Sequence, residues 1–104
     1  MQIIIDLDGT ICTEEKTFSR SLAKPIAEAV ESINSLYEKG HTIIIYSARS
    51  WMEYEVTSHW LNKNGVKYHQ LILGKPIGDV WIDDRAIKFN NNWDTIIKML
   101  EEKK

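Results

Sequence analysis

The sequence predicts a single α/β domain: a three-layer, doubly wound parallel sheet with helices on both faces. Three observations predict it. Short, continuous apolar runs recur along the chain, segments of helical period separate them, and 104 residues leave room for one core. Runs without polar alternation are those of strands buried on both faces, and their regular exchange with helices means a parallel sheet.

The elements follow in order. Ile3-Ile4-Ile5 is the first strand run. After a loop, Pro25 to Lys39 carries Ile26, Val30, Ile33 and Leu36 on one helical stripe. Pro25 suits its first helical position and Gly40 the residue past its end. Ile43-Ile44-Ile45-Tyr46 is the second strand run. Ser50-Trp51-Met52-Glu53 has the form of a capping box, opening a helix that stops at Asn64-Gly65. Leu71-Ile72-Leu73 and Val80-Trp81-Ile82 are the third and fourth runs, and Ile87-Lys88-Phe89 a short fifth. A last helix covers about Asn92 to Glu102, with Trp93, Ile96, Ile97 and Leu100 on one side, before a solvated end at Glu101 to Lys104. Trp60, Trp81 and Trp93 fall on these apolar stripes and are expected in the core.

Composition narrows the function. Thirteen basic against fifteen acidic residues leave a net charge of −2, which argues against a nucleic-acid or anionic-membrane binder. One cysteine, Cys12, excludes an internal disulfide framework. No apolar stretch approaches a membrane span, and Met1 to Asp6 does not read as a signal peptide. The expected setting is cytoplasmic.

In open parallel sheets, ligands bind at the carboxyl ends of the strands. Asp6-Leu7-Asp8-Gly9-Thr10 follows the first run, Ser47-Ala48-Arg49 the second, Gly74-Lys75-Pro76 the third and Asp83-Asp84-Arg85 the fourth. Four of the six aspartates therefore stand at two points that the sheet brings together. Crowded carboxylates stay ionised only when neutralised, and with Lys75 the only cation these motifs supply, a divalent cation fits that task. Mg²⁺ fits, because no His or Cys cluster offers the ligands zinc prefers. Such a site receives a phosphoryl group: Mg²⁺ and Lys75 neutralise its oxygens, and Ser47 hydrogen-bonds them. One carboxylate is then a nucleophile, and a second, two residues on, an acid and base. Gly9 permits the sharp exit from the strand that sets the pair side by side.

With these motifs in this order, the chain resembles the haloacid dehalogenase-like phosphatases over residues 2 to about 85, a family with a Rossmann-like sheet. The resemblance implies Asp6 as nucleophile, Asp8 as general acid and base, and Ser47 and Lys75 as the phosphate holders. Ala48 and Arg49 are added as substrate contacts. It implies Mg²⁺ held by the Asp6 carboxylate, the Asp8 carbonyl, Asp83 and Asp84, and leaves open which of the last two touches the ion directly. Neither Ile11–Lys24 nor the segment 50–74 has room for the cap domain of most relatives. The chain is thus similar to capless members, and the run from Gly74 to Ala86 to small ones linked to bacterial capsule and surface-polysaccharide synthesis.

The expected activity is Mg²⁺-dependent hydrolysis of a phosphomonoester, a sugar phosphate or nucleotide-like metabolite, through an aspartyl-phosphate on Asp6. A phosphotransferase uses the same residues. A receiver-like phosphoaccepting domain shares the carboxylates, the lysine and Mg²⁺, but places its acidic pair on the first strand and its acceptor later. An open site also invites a second copy of the chain to complete it. Phe18, Arg20 and Trp51 sit where an open site meets its substrate.

Overall fold

The structure, a computed structural model, describes residues 1–102; Lys103 and Lys104 of the expected solvated end lie outside the described residues. Three strands form: β1 (Gln2–Ile5), β2 (Thr42–Tyr46) and β3 (Gln70–Ile72). All are parallel, in the order β1-β2-β3, with Ile3 opposite Ile43, Ile5 opposite Ile45, and Ile45 opposite Leu71. Strand side chains alternate between faces, so this register puts Ile3, Ile5, Ile43, Ile45 and Leu71 on one side. Ile5, Ile43, Ile45 and Leu71 are in the main core, and the partly buried Ile3 packs against it. Ile4 and Ile44 point the other way, and Ile4 is 61% exposed.

Three α-helices accompany the sheet: α1 (Ala29–Glu38), α2 (Tyr54–Lys63) and α3 (Trp93–Glu101). Helix α1 buries Ala29, Ile33 and Leu36, packs on α3, and ends against Gly40 at φ 92°. It starts later than the sequence predicts. Pro25 pairs instead with Cys12 in an antiparallel bridge, and Ile26 N–H donates to the Ile11 carbonyl at 2.8 Å. These bonds hold residues 25 and 26 extended, so the helix begins only after Glu28, at φ 69°. Helix α2 has the expected capping box. Ser50 Oγ accepts from Met52 N–H at 3.0 Å, and Glu53 accepts from Ser50 N–H at 2.8 Å. One 3₁₀ turn, Trp51–Glu53, lies between that cap and α2. Helix α3 buries Trp93, Ile96 and Leu100 as its stripe predicts.

A 3₁₀ helix at Thr17–Leu22, which carries no apolar period, fills the first loop and packs against α2. Trp60, buried on α2, donates its indole N–H to the Ala23 carbonyl at 2.7 Å.

The fourth and fifth runs form no strand. Val80, Trp81 and Ile82 are 74%, 55% and 97% exposed, so Trp81 is not a core residue. Their neighbours explain it. Gly78-Asp79 and Asp83-Asp84 flank the three residues, and Gly and Asp are poor strand formers. Asp83 also accepts from Arg85 N–H at 2.8 Å, closing a turn where a strand would continue. Ile87 and Phe89 lean partly buried on the core from an irregular segment, Phe89 lying 5.5 Å from the Trp93 ring. Among the described residues no helix is long and apolar enough to cross a membrane.

Candidate active site

The loops at the carboxyl ends of the three strands are tied to one another. After β1 the chain curls so that Thr10, Ile11 and Cys12 N–H all point at the Leu7 carbonyl, at 3.1, 2.8 and 3.2 Å. Gly9 lies inside this curl at φ 84°, a conformation that side chains strain. After β2, Ser47 C=O accepts from Lys75 N–H at 2.9 Å and Arg49 C=O from Gly74 N–H at 2.8 Å. The second and third loops are thereby fixed edge to edge.

A cavity of about 360 Å³ opens among these loops, walled by Asp6, Asp8, Arg20, Arg49, Lys75 and Trp81. Asp6 stands directly after β1 with its side chain 37% exposed. Its carboxylate lies 3.4 Å from Lys75 Nζ and 3.4 Å from Thr10 Oγ1. Lys75 is held in place by two rings as well, 5.1 Å from the Trp81 centroid and 5.8 Å from that of Tyr46. Ala48 is on the wall too, as expected of a substrate contact.

Asp8 is more tightly held than the sequence implies. Arg49 grips it with both arms of its fork, Nε to Oδ2 at 2.9 Å and Nη2 to Oδ1 at 2.7 Å. Arg20 Nη1 approaches the same Oδ1 to 3.7 Å while its Nε bonds Glu53 at 3.0 Å. Burial alone pulls the Arg49 pKa down, but the hydrogen bonds and charge of Asp8 outweigh it and raise that pKa above its ordinary value. Next to this pair, burial pushes the Cys12 thiol up to about 12, and the Asp8 charge adds to the rise.

Two of the expected site residues lie deeper than the others. Arg49 is on the cavity wall but 3% exposed, its guanidinium bound to Asp8 and Thr57. Ser47 is 1% exposed and absent from the wall, and its Oγ accepts from Arg49 N–H at 3.1 Å. Thr57 of α2 supplies the acceptor that holds the arginine inside, and Ser47 is tied by backbone bonds to Ile72 and Lys75.

The expected carboxylate cluster also does not form. Asp83 and Asp84 are exposed, off the cavity wall, and among the described residues no three His, Cys, Asp or Glu side chains stand close enough to share a metal ion. The run meant to deliver them is not a strand. Moreover the aspartates on the wall have protein counterions, Lys75 for Asp6 and the two arginines for Asp8. The residues as arranged do not fit a Mg²⁺ site.

Glu14, Ile77, Gly78 and Trp81, which no motif gives a site role, are also on the wall, as is Arg20, expected where an open site meets its substrate. A signal for Arg20 existed: it is the one cation in the 3₁₀ segment Thr17–Leu22, which precedes α1 beside the acidic loop.

Comparison with known proteins agrees with this architecture. A search of curated proteins gave no match. Among solved structures, the chain is similar to a protein target from Vibrio cholerae, at 26% identity and a TM-score of 0.73, with both chains covered in full. It is equally similar to a conserved protein from Bacteroides thetaiotaomicron, at 26% identity and a TM-score of 0.72, covering 100% of this chain and 92% of that one. The model of the haloacid dehalogenase-like hydrolase family matches residues 3–103. Since that match runs almost the whole length of the sequence, this chain belongs to the haloacid dehalogenase-like hydrolases.

Proposed function

We propose that the chain hydrolyses phosphomonoesters, with Asp6 as nucleophile and Asp8 as acid and base. The observation that carries this reading is the placement of Asp6: a part-exposed carboxylate on the cavity wall at the end of β1, beside the ammonium of Lys75. A carboxylate oxygen of Asp6 attacks phosphorus, the bond to the ester oxygen breaks, and Asp8 gives that oxygen a proton. Water then attacks the aspartyl-phosphate, Asp8 takes its proton, and phosphate leaves with Asp6 restored. Lys75 neutralises phosphoryl oxygens as charge builds on them.

Arg49 itself takes one lone-pair site on each Asp8 oxygen, of about four in all, and the proton that Asp8 delivers in one cycle is the one it takes from the attacking water in the cycle before. No step is assigned to Mg²⁺, because the described arrangement does not assemble its ligands. The proposed substrates are small phosphorylated metabolites, sugar phosphates and nucleotides first, with Trp81 offering an aromatic wall.

The test is phosphate release from an aryl phosphate in Mg²⁺ buffer, with and without EDTA, by wild type and Asp6→Asn. The substitution is expected to lower release by at least ~10³-fold, the order seen when a nucleophile is removed. Release that survives it unchanged rejects the nucleophile. EDTA reads the cation requirement separately.

A further inference from the structure

The geometry points to Arg49 as the residue that positions Asp8 for proton transfer; this rests on the phosphatase reading above. Asp8 stands in the loop after β1, next to Gly9 at φ 84°, where its backbone forms an isolated bridge with Cys12 that leaves the direction of its side chain open. A single hydrogen bond would leave that carboxylate free to pivot. The bidentate grip of Arg49, at 2.9 and 2.7 Å, fixes both its direction and the plane of its oxygens. The fork itself is rigidly mounted. Nη1 donates to Thr57 Oγ1 of α2 at 2.9 Å, Arg49 N–H donates to Ser47 Oγ, and Arg49 C=O accepts from Gly74 N–H. All of this is interior, with Arg49 3% and Thr57 1% exposed. Arg20 does not replace it. Arg20 reaches only one oxygen of Asp8, at 3.7 Å, and its Nε is committed to Glu53.

Orientation of this kind matters because proton transfer depends steeply on the position of the donor, and a misplacement of about 1 Å can slow a reaction 10²-fold. Arg49 thus acts on the reaction through Asp8 and touches no substrate. Its loss affects both steps that use Asp8, protonation of the leaving oxygen and deprotonation of the attacking water, and kcat/KM reads the first of them alone.

The experiment compares two aryl phosphates in wild type, Arg49→Met and Arg49→Lys. Phenyl phosphate has a leaving group that needs a proton; dinitrophenyl phosphate has one that departs without help. For Arg49→Met the kcat/KM on phenyl phosphate is expected to fall about 100-fold, within the range for general acid catalysis, against less than about threefold on dinitrophenyl phosphate. Arg49→Lys, which keeps the charge and loses the fork, falls about tenfold on phenyl phosphate alone. The comparison is made on kcat/KM and not on kcat, because hydrolysis of the aspartyl-phosphate is common to both substrates and also uses Asp8. Urea midpoints identify any variant that is unfolded, and Arg49→Lys decides if Arg49→Met is.

Equal losses on both substrates in folded variants, or a rise confined to KM, overturn the inference. A wild type that turns over phenyl phosphate in an Asp6-dependent way, with Arg49 variants unaffected, rejects the role of Arg49 alone. A wild type idle on both substrates rejects the phosphatase reading and this inference with it.

Discussion

Replacing Asp8 by alanine should destabilise the fold more than replacing its partner Arg49. The Arg49 side chain is 2% exposed and that of Asp8 16%. Asp8→Ala therefore leaves a guanidinium in the interior with Thr57 and the Cys12 sulfur as its remaining neighbours. It also removes the anion between Arg49 and Arg20, which both face Oδ1, at 2.7 and 3.7 Å. Breaking a buried pair by deleting one partner costs about 3–5 kcal/mol. In a domain of this size each kcal/mol moves Tm by about 4–8 °C, so the fall is at least about 12 °C. Arg49→Met removes the buried charge and leaves Asp8 at the cavity wall, where solvent and Arg20 reach it. Its cost is that of lost hydrogen bonds, about 1–3 kcal/mol. Urea unfolding at pH 7 measures both through midpoint and slope. Asp8→Ala within about 1 kcal/mol of wild type, or Arg49→Met the more damaging of the two, refutes the view that this pair is a desolvated charge held by its partner.

Two further predictions concern the surroundings of that pair. With the Cys12 pKa at about 12 against an ordinary 9.0, its thiolate fraction at pH 8 falls by ~10³-fold, and iodoacetamide should label native protein that much more slowly than protein in urea. The same shift links Cys12 to stability: the native state holds the thiol proton more tightly than the unfolded one. Its contribution is therefore complete below about pH 9 and declines as pH rises toward 12, read as the urea midpoint of wild type minus that of Cys12→Ala at each pH. At the start of α2, Ser50→Ala removes the acceptor for Met52 N–H and should cost about 1 kcal/mol, a Tm drop of about 4–8 °C by thermal melting.

Periodicity and turn chemistry made most of the fold legible. Ile3 to Ile5, Ile43 to Tyr46 and Leu71-Ile72 are strands, and Ser50 and Glu53 open the second helical segment as their spacing predicts. The start of α1 was not legible. Pro25 is a good first helical residue in isolation, and only the bridge to Cys12, thirteen positions earlier, holds it extended. Val80-Trp81-Ile82 failed for a related reason. A short apolar run looks the same whether it pairs in a sheet or lies exposed, and its acidic flanks favour a turn. At the site, the positions of Asp6, Ala48 and Lys75 follow from where the strands end. The inward turn of Arg49 does not, because its guanidinium is held by Thr57, a helix residue that no motif marks.

Charge balance gives the site its physical character. The wall holds three acids, Asp6, Asp8 and Glu14, and three bases, Arg20, Arg49 and Lys75. The three acids all fall within residues 6–14, whereas the bases come from a 3₁₀ helix, the turn after β2 and the loop after β3. Folding is what brings them together, so the two aspartates differ in what they do for the fold. Asp8 faces a buried guanidinium and is part of what holds the interior neutral. Asp6 faces its lysine at 3.4 Å with its side chain 37% exposed, a contact of the kind that contributes about 1 kcal/mol or less. Activity and stability should therefore separate at position 6 and move together at position 8. Asp6→Asn removes the nucleophile from an intact molecule, and an unchanged urea midpoint alongside lost phosphate release is the result that identifies Asp6 as chemical machinery rather than scaffold.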